Sequence, residues 1–182
     1  LESLDVLRGG GPADVVELTV ELGAQMLRVG GAAETLEQGR EKMRSVLSDG
    51  SAFEKFRQLV ELQGGDVEVI LHPAKFRRAE HQWPVRASAF GYVEAINSEM
   101  VGVASMLLGA GRERLDSPID HAAGIVLKKH IGDRVDEGEP LCVLEYNDGA
   151  RVDAAVQQIE QAYRIGERQP ERAKLIKASM TK

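Results

Sequence analysis

The sequence predicts an α+β protein in which a helical segment precedes a β-rich, barrel-sandwich-like module with flanking helices. In residues 1–71, apolar side chains recur at spacings of three and four, as in amphipathic helices. After Gly65 the pattern changes to short β-rich runs that are separated by glycines. The chain has 182 residues, 43% of them hydrophobic, and is long enough to bury a sizeable core.

Composition and charge exclude several classes of protein. The net charge of −6 falls on residues 1–71, which contain 7 basic and 13 acidic residues, whereas residues 72–182 contain 16 of each. No basic block favours nucleic-acid binding, and no apolar run approaches the ~20 residues of a membrane span. Cys142 is the single cysteine, which excludes an internal disulfide bond and predicts a reducing, cytoplasmic environment.

The helical segment is predicted to contain four helices. The first has no start signal ahead of Leu1, which predicts that the natural chain begins further upstream. The fourth begins with the pattern of a capping box, Ser51–Glu54. The predicted helices span residues 1–8, 13–29, 34–48 and 51–63. One buried face of the second helix is predicted to consist of Val15, Leu18, Leu22, Met26 and Val29.

The second half is predicted to be a mixed module that follows a polar linker over 72–82. Ser98 is the predicted cap of a helix over 99–108, and a last helix is predicted over 152–168. Gly91–Val93 and Gly124–Val126 share a glycine followed by a β-rich pair, a weak internal echo. The predicted strands span residues 83–89, 91–96, 124–129 and 141–146. The chain is therefore predicted to divide into residues 1–71 and 72–182.

Four short patterns could carry chemistry, and each is better explained by structure. Gly109–Arg112 follows a helix, where glycine forms a C-cap, whereas phosphate loops precede helices. Asp120 and His121 are adjacent and have no further partner at metal-ligand spacing. Cys142 lies in an apolar strand, and the run Lys128–His130 is typical of a solvated strand edge.

The most ordered motif is Gly132–Leu141, which predicts a hairpin with glycines at its turns and Val135 pointing inward. Biotinyl and lipoyl carrier domains contain such a hairpin, and they attach the cofactor to an exposed lysine at a hairpin tip. The turn that follows the next predicted strand, Tyr146–Gly149, has no lysine. The motif is therefore predicted to be scaffold.

Several blocks of the sequence stand in the order and spacing of a known enzyme family. The first blocks are Leu7–Asp14 with Leu22–Ala24, and Phe53–Phe56 with Gln63–Asp66. More specific are Leu108–Arg112, Ile119–His121 with Gly124 and Ile125, and the Gly132–Leu141 motif. Together they resemble the thymidine and pyrimidine-nucleoside phosphorylases over essentially the whole chain. The bacterial pyrimidine-nucleoside type is more similar than the archaeal nucleotide phosphorylases.

The resemblance implies reversible phosphorolysis of uridine, thymidine or deoxyuridine to the base and (deoxy)ribose 1-phosphate. It also implies phosphate as co-substrate, no cofactor for the chemistry, a homodimer, and neither nucleic acid nor membrane as a partner. The family's catalytic segments, K-x-S-T-G-G-V-G-D and S-I-M-S-K-K, do not occur here. We therefore expect a C-terminal part of the enzyme, inactive alone, with no catalytic residue to assign. Residues 1–71 would belong to the larger α/β domain, and residues 72–182 would be the C-terminal domain.

One site residue is implied by the same resemblance. Bacterial members bind a monovalent cation, potassium, partly through a glutamate on one helix of the family fold. This sequence begins just inside that helix, and Glu2 matches the glutamate. Its partner ligands lie in segments that this sequence lacks. A well-formed cation site is therefore not expected in this chain alone.

Two other hypotheses remain open at this point. The chain could be a stand-alone binding or carrier-like module of barrel-sandwich type, which an added mass on the intact protein would reveal. It could also be a regulatory interaction domain that presents the apolar faces of helices 13–29 and 51–63 to a partner.

Overall fold

A computed structural model describes residues 1–112, 114–171 and 174–180 of the chain. The described residues form two units, one made of residues 1–76 with 174–180 and the other of residues 77–171. We call them the helical unit and the C-terminal module. In this part of the chain no helix has the length and apolarity that a membrane-spanning segment requires.

Five α-helices and one 3-10 turn build the described part of the helical unit. They are α1 (Glu2–Leu7), α2 (Ala13–Val29), α3 (Leu36–Ser48), α4 (Ser51–Leu62), α5 (Val67–Leu71) and the turn Pro73–Lys75. Val6, Val20 and Leu47 form a small buried core. Arg8 connects three of the helices, because it stacks 4.5 Å from the ring centre of Phe53 and donates to the Ile70 carbonyl at 2.9 Å.

Helices α2 and α3 pack through small residues. Val20 and Ala24 of α2 are buried, and a Cβ atom on Gly39 of α3 would lie 2.9 Å from the Cα of Ala24. The helices approach this closely here because Gly39 has no side chain and Ala24 has only a methyl group. Met26 and Val29 are 75% and 88% exposed. The predicted buried face is therefore wrong for its last four members, Leu18, Leu22, Met26 and Val29, all of which are exposed.

The helix starts depend on neighbouring polar side chains. Thr35 accepts from the Gln38 amide at 3.2 Å at the start of α3. The predicted capping box at Ser51–Glu54 is wrong, because Ser51 is already helical and its amide donates to Asp49 at 2.8 Å. Asp49 satisfies a free amide of the first turn in place of the predicted serine.

The C-terminal module contains two three-stranded sheets and two helices. Its elements are β1 (His81–Arg86), β2 (Gly91–Ile96), α6 (Ser98–Leu107), β3 (Gly124–Leu127), β4 (Arg134–Val135), β5 (Pro140–Tyr146), α7 (Val152–Ala162) and β6 (Tyr163–Gly166). The strand orders are β1-β5-β3 and β4-β2-β6, and every pair is antiparallel. The α+β prediction is confirmed.

Both sheets and both helices share one core. Val93, Val135 and Leu144 are fully buried strand residues, and Ala155 and Ile159 of α7 are fully buried as well. Helix α6 packs against α7 and contributes Ala104 to the same cluster. The burial of apolar surface between these layers is the main stabilising term of the module.

Three predicted elements of the module differ in the structure. The Gly132–Leu141 segment is not a hairpin, because β4 pairs with β2 and β5 pairs with β1 and β3. The last helix stops at Ala162, since Tyr163–Gly166 pairs with β2 as strand β6. Strand β3 ends at Leu127, before the basic run.

Strand β2 begins at a glycine that no other residue could replace without strain. Gly91 has a φ of +151°, and a Cβ atom there would lie 2.5 Å from the carbonyl oxygen of Gly166. Gly124, which begins β3, has open space at the same place and no positive φ. The two glycines of the internal echo therefore differ in what the fold requires of them.

Candidate functional site

The loop after α6 is a helix C-cap. Gly109 has a φ of +95°, its amide donates to the Met106 carbonyl at 3.0 Å, and the Ala110 amide donates to the Ser105 carbonyl at 3.1 Å. These are the two hydrogen bonds of a Schellman motif. The loop uses its amides to end α6, and Arg112 is exposed. The prediction of a structural glycine at this position is confirmed.

Asp120 is the centre of a hydrogen-bond network in the C-terminal module. Its carboxylate accepts from the Ala122 amide at 3.0 Å and from the Asn147 side-chain amide at 2.6 Å. Its own amide donates to the Gly109 carbonyl at 2.9 Å. The Asn147 side-chain oxygen accepts from the Glu80 amide at 2.8 Å. The network joins the end of α6, the segment before β3, the turn after β5 and the start of β1.

The electrostatics of Asp120 fit a structural role. The hydrogen bond from the Ala122 amide, followed by the one from Asn147, holds the pKa of the Asp120 carboxyl below its ordinary value. His121 is exposed to solvent. The Asp120 carboxylate is therefore favoured in its ionised form and is occupied by the Ala122 and Asn147 amides.

An Asp120→Asn variant tests this network through its pH dependence. Because the folded-state pKa is depressed, the stabilisation by the carboxylate is fully present above about pH 4 and disappears as the pH falls through the folded pKa. We expect the variant to unfold at a lower temperature than the parent chain at neutral pH. The difference should shrink below about pH 4. Thermal melts by circular dichroism between about pH 7 and about pH 3 measure it.

The matched control for that series is Asp116→Asn, at an exposed aspartate in the preceding segment. It should melt with the parent chain at every pH. A constant gap between parent and Asp120→Asn down to the lowest pH would contradict the network argument.

The Gly132–Leu141 segment positions side chains for the core and for one ion pair. Gly132 and Gly138 have φ angles of +92° and +81°, and Val135 is fully buried, as predicted. Lys129 forms an ion pair with Glu139 at 2.7 Å and donates to the Arg134 carbonyl at 2.9 Å. The hydrogen bond from Lys129 lowers the pKa of Glu139. The segment is scaffold, and the partly covered Lys129 that precedes it is held by these contacts.

The residues of the basic run Lys128–His130 differ in their environment. Lys128 is exposed, and His130 lies 3.7 Å from the Asp133 carboxylate, an ion pair when the imidazole is protonated. The run was predicted to lie on a strand, but β3 has already ended.

Cys142 is an inert core thiol, as predicted. It is fully buried on β5, and burial raises its pKa to about 11. Nearby, the Tyr163 hydroxyl donates to the Lys129 carbonyl at 3.1 Å, and the Leu141 carbonyl lies 3.4 Å from the same hydroxyl. Burial raises the pKa of Tyr163. A thiolate nucleophile requires an electropositive, accessible site, which this core does not supply.

Glu2, the predicted metal ligand, lies in the first turn of α1 with its side chain exposed. Among residues 1–112, 114–171 and 174–180, no group of three or more His, Cys, Asp or Glu side chains is placed to hold a metal ion. The role of Glu2 in a cation site stays a prediction.

Three polar residues form structural hydrogen bonds that the sequence did not predict. Asn97, rather than Ser98, caps α6 and accepts from the Glu99 and Met100 amides at 3.0 and 3.2 Å. Asn147 and Tyr163 hold the networks described above. Asn97 was recognisable as an N-cap residue before a helical pattern, whereas the partners of Asn147 are distant in sequence.

The described residues thus define a class of protein: a two-sheet α+β module with a helical unit, in which the candidate polar groups are engaged in holding the fold. The comparisons with known proteins specify the family. Residues 92–166 match the family model of the pyrimidine nucleoside phosphorylase C-terminal domain. The chain is 42% identical over 166 residues to the pyrimidine-nucleoside phosphorylases of Staphylococcus aureus strains USA300 and NCTC 8325 / PS 47.

Each match covers 91% of this chain and 38% of the relative. The predicted resemblance to the pyrimidine-nucleoside phosphorylases is confirmed, and residues 92–166 carry the family's C-terminal domain. The chain spans about 38% of the length of the curated relatives it matches.

Proposed function

We propose that this chain is the C-terminal part of a pyrimidine-nucleoside phosphorylase and serves that enzyme as scaffold. The observation that carries the proposal is the 42% identity over 91% of the chain, together with the matched C-terminal domain. The proposed division assigns residues 1–71 to the larger α/β domain and residues 72–182 to the C-terminal domain. In this proposal the enzyme is a cytoplasmic homodimer that uses neither nucleic acid nor membrane.

The proposed reaction is the reversible phosphorolysis of uridine, thymidine or deoxyuridine. A phosphate oxygen forms a bond to the anomeric carbon, and the glycosidic C–N bond breaks with its electron pair leaving on the base, which then takes a proton. This chemistry needs cationic groups around phosphate and a group that stabilises the departing base. The polar groups Asp120, Lys129 and Glu139 are engaged by neighbouring groups of the fold, which supports a structural role for them.

What this part contributes is a rigid support. An enzyme site must hold reacting groups to within a fraction of an ångström, and packed elements outside the site supply that rigidity. The buried core of the two sheets and the Asp120 network are features of this kind. We therefore assign the catalytic groups to segments of the enzyme outside this sequence.

The purified 182-residue chain should release no uracil or thymine from uridine or thymidine in the presence of phosphate. Base release is followed by ultraviolet absorbance, with the Staphylococcus aureus enzyme as the positive control. A chimera in which this chain replaces the matching part of that enzyme should be active, because the catalytic segments are then restored. Turnover by the chain alone would overturn the scaffold assignment, and an inactive but folded chimera would overturn the family function.

The same chimera tests the proposed role of Glu2 in binding potassium. Carboxylate and carbonyl oxygens are suitable ligands for a hard cation. If Glu2 is a ligand, Glu2→Gln should weaken the dependence of turnover on potassium and leave the folded state unchanged. An unaltered potassium dependence would remove Glu2 from the site.

A further inference from the structure

The last described residues of the chain belong to the helical unit. Residues 174–180 are grouped with residues 1–76, although the whole C-terminal module lies between them in sequence. We call residues 174–180 the C-terminal segment. It lies beyond residue 166, where the match to the family's C-terminal domain ends. The family match therefore does not explain why this segment lies with the helical unit, and the explanation comes from the segment's own contacts.

Two contacts connect the C-terminal segment with α2 and α3. Ile176, which is half-buried, lines a groove of about 430 Å³ together with Val16 and Val20 of α2 and Arg40 of α3. Three residues further on, the Ser179 hydroxyl accepts from the Gln25 side-chain amide at 2.9 Å. One contact is apolar and the other polar, and both lie on the α2–α3 pair.

Charge is balanced at the groove. Its lining includes two glutamates, Glu17 and Glu21, and two arginines, Arg40 and Arg44. Glu21 is engaged by Arg40 at 2.7 Å. The docking of the segment is therefore carried by its apolar anchor and its hydrogen bond, and not by net charge.

We propose that the C-terminal segment is a strap that docks on the α2–α3 groove, with Ile176 as its anchor and Ser179 as its polar contact, and that it stabilises these two helices. The strap adds apolar contact beside the small core of Val6, Val20 and Leu47. That core is limited, because the outer face of α2 is exposed. The α2–α3 pair therefore depends on contacts from other segments, of which the strap is one.

Hydrogen–deuterium exchange of the full 182-residue chain tests the strap. Ile176→Asp places a charge against the groove, and the amides of α2 and α3 should then exchange roughly five- to tenfold faster, as half-burial of one isoleucine side chain predicts. Ser179→Ala, which keeps the anchor, should increase the exchange by a smaller factor. The amides of α6 and α7 are the internal reference and should exchange at the parent rate.

The matched control is Met180→Asp, which introduces the same charge into the same segment at a side chain that is 99% exposed. It should leave the exchange of α2 and α3 unchanged. Equal effects of Ile176→Asp and Met180→Asp, or no effect of Ile176→Asp, would overturn the proposal. Protection of α2 and α3 that rises with protein concentration would also overturn it, because the segment would then be docking on a second copy.

Discussion

Replacing Gly91 with alanine should be among the most damaging single changes in the C-terminal module. The φ of +151° is costly for any residue with a Cβ atom, by roughly 1–3 kcal/mol. The added methyl group would also lie 2.5 Å from the Gly166 carbonyl oxygen, and overpacking costs a further ~1–3 kcal/mol. Because that oxygen belongs to the backbone of the paired strand β6, it cannot rotate away. Chemical denaturation followed by circular dichroism measures the loss in the free energy of unfolding.

Gly124→Ala is the control that the sequence itself provides. Gly124 begins β3 as Gly91 begins β2, but a Cβ atom there meets nothing within 4 Å and the φ is not positive. Its substitution should change the free energy of unfolding by less than about 1 kcal/mol. If both variants lost stability equally, the steric argument for Gly91 would be wrong.

Leu144→Ala is the second change with a large expected effect. Leu144 is fully buried at the centre of β5, where it pairs with Trp83 of β1 and Ile125 of β3. Truncation removes buried methyl groups and leaves a cavity, which typically costs about 2–5 kcal/mol. Because β5 is the central strand of its sheet, Leu144 has a paired strand on each side. The surroundings can therefore relax only slightly, and the upper half of that range is expected.

Leu115→Ala serves as the matched control for this truncation. Leu115 is 91% exposed, so the same atoms are removed without leaving a cavity. Its free energy of unfolding should stay within about 0.5 kcal/mol of the parent chain. A small loss at Leu144 would show that the two sheets do not share the rigid core described above.

Local signals predicted most of the secondary structure. The range of α2 and that of β2 follow from the sequence, because glycines and a proline mark their ends and the apolar spacing lies between them. Strand β6 was missed, since Tyr163–Gly166 continues the apolar pattern of α7 and becomes a strand only by pairing with the distant β2. The sheet partners of β4 and β5 were missed for the same reason. Pairing over long sequence separations has no local signature.

The packing of α2 shows a second limit. Large apolar residues at helical spacing predicted which face is buried, but α3 packs on the face of Val20 and Ala24. The decisive signal was a small residue on each side of the contact, Ala24 of α2 and Gly39 of α3. Small residues mark a helix contact only when it is known which two helices pack together. The apolar stripe is left on the exposed surface of this chain.

For the candidate site residues, the sequence predicted mainly their structural roles. The glycine cap at Gly109 and the buried Cys142 follow from sequence position and local chemistry. The network of Asp120 and Asn147 joins residues that are 27 positions apart, so its geometry was visible only in three dimensions. The assignment to the phosphorylase family came from ordered sequence blocks, whereas composition and helical periodicity left its function undetermined.

The order of the two units along the chain has a consequence for biosynthesis. The amide of Gln25 and the hydroxyl of Ser179 are 154 residues apart, and the complete C-terminal module is translated between them. On the ribosome, α2 and α3 emerge before the C-terminal module, and the strap that contacts them emerges only after it. The helical unit is therefore built from two separate stretches of sequence, and an expression fragment cut at residue 166, where the family match ends, would lack the second stretch.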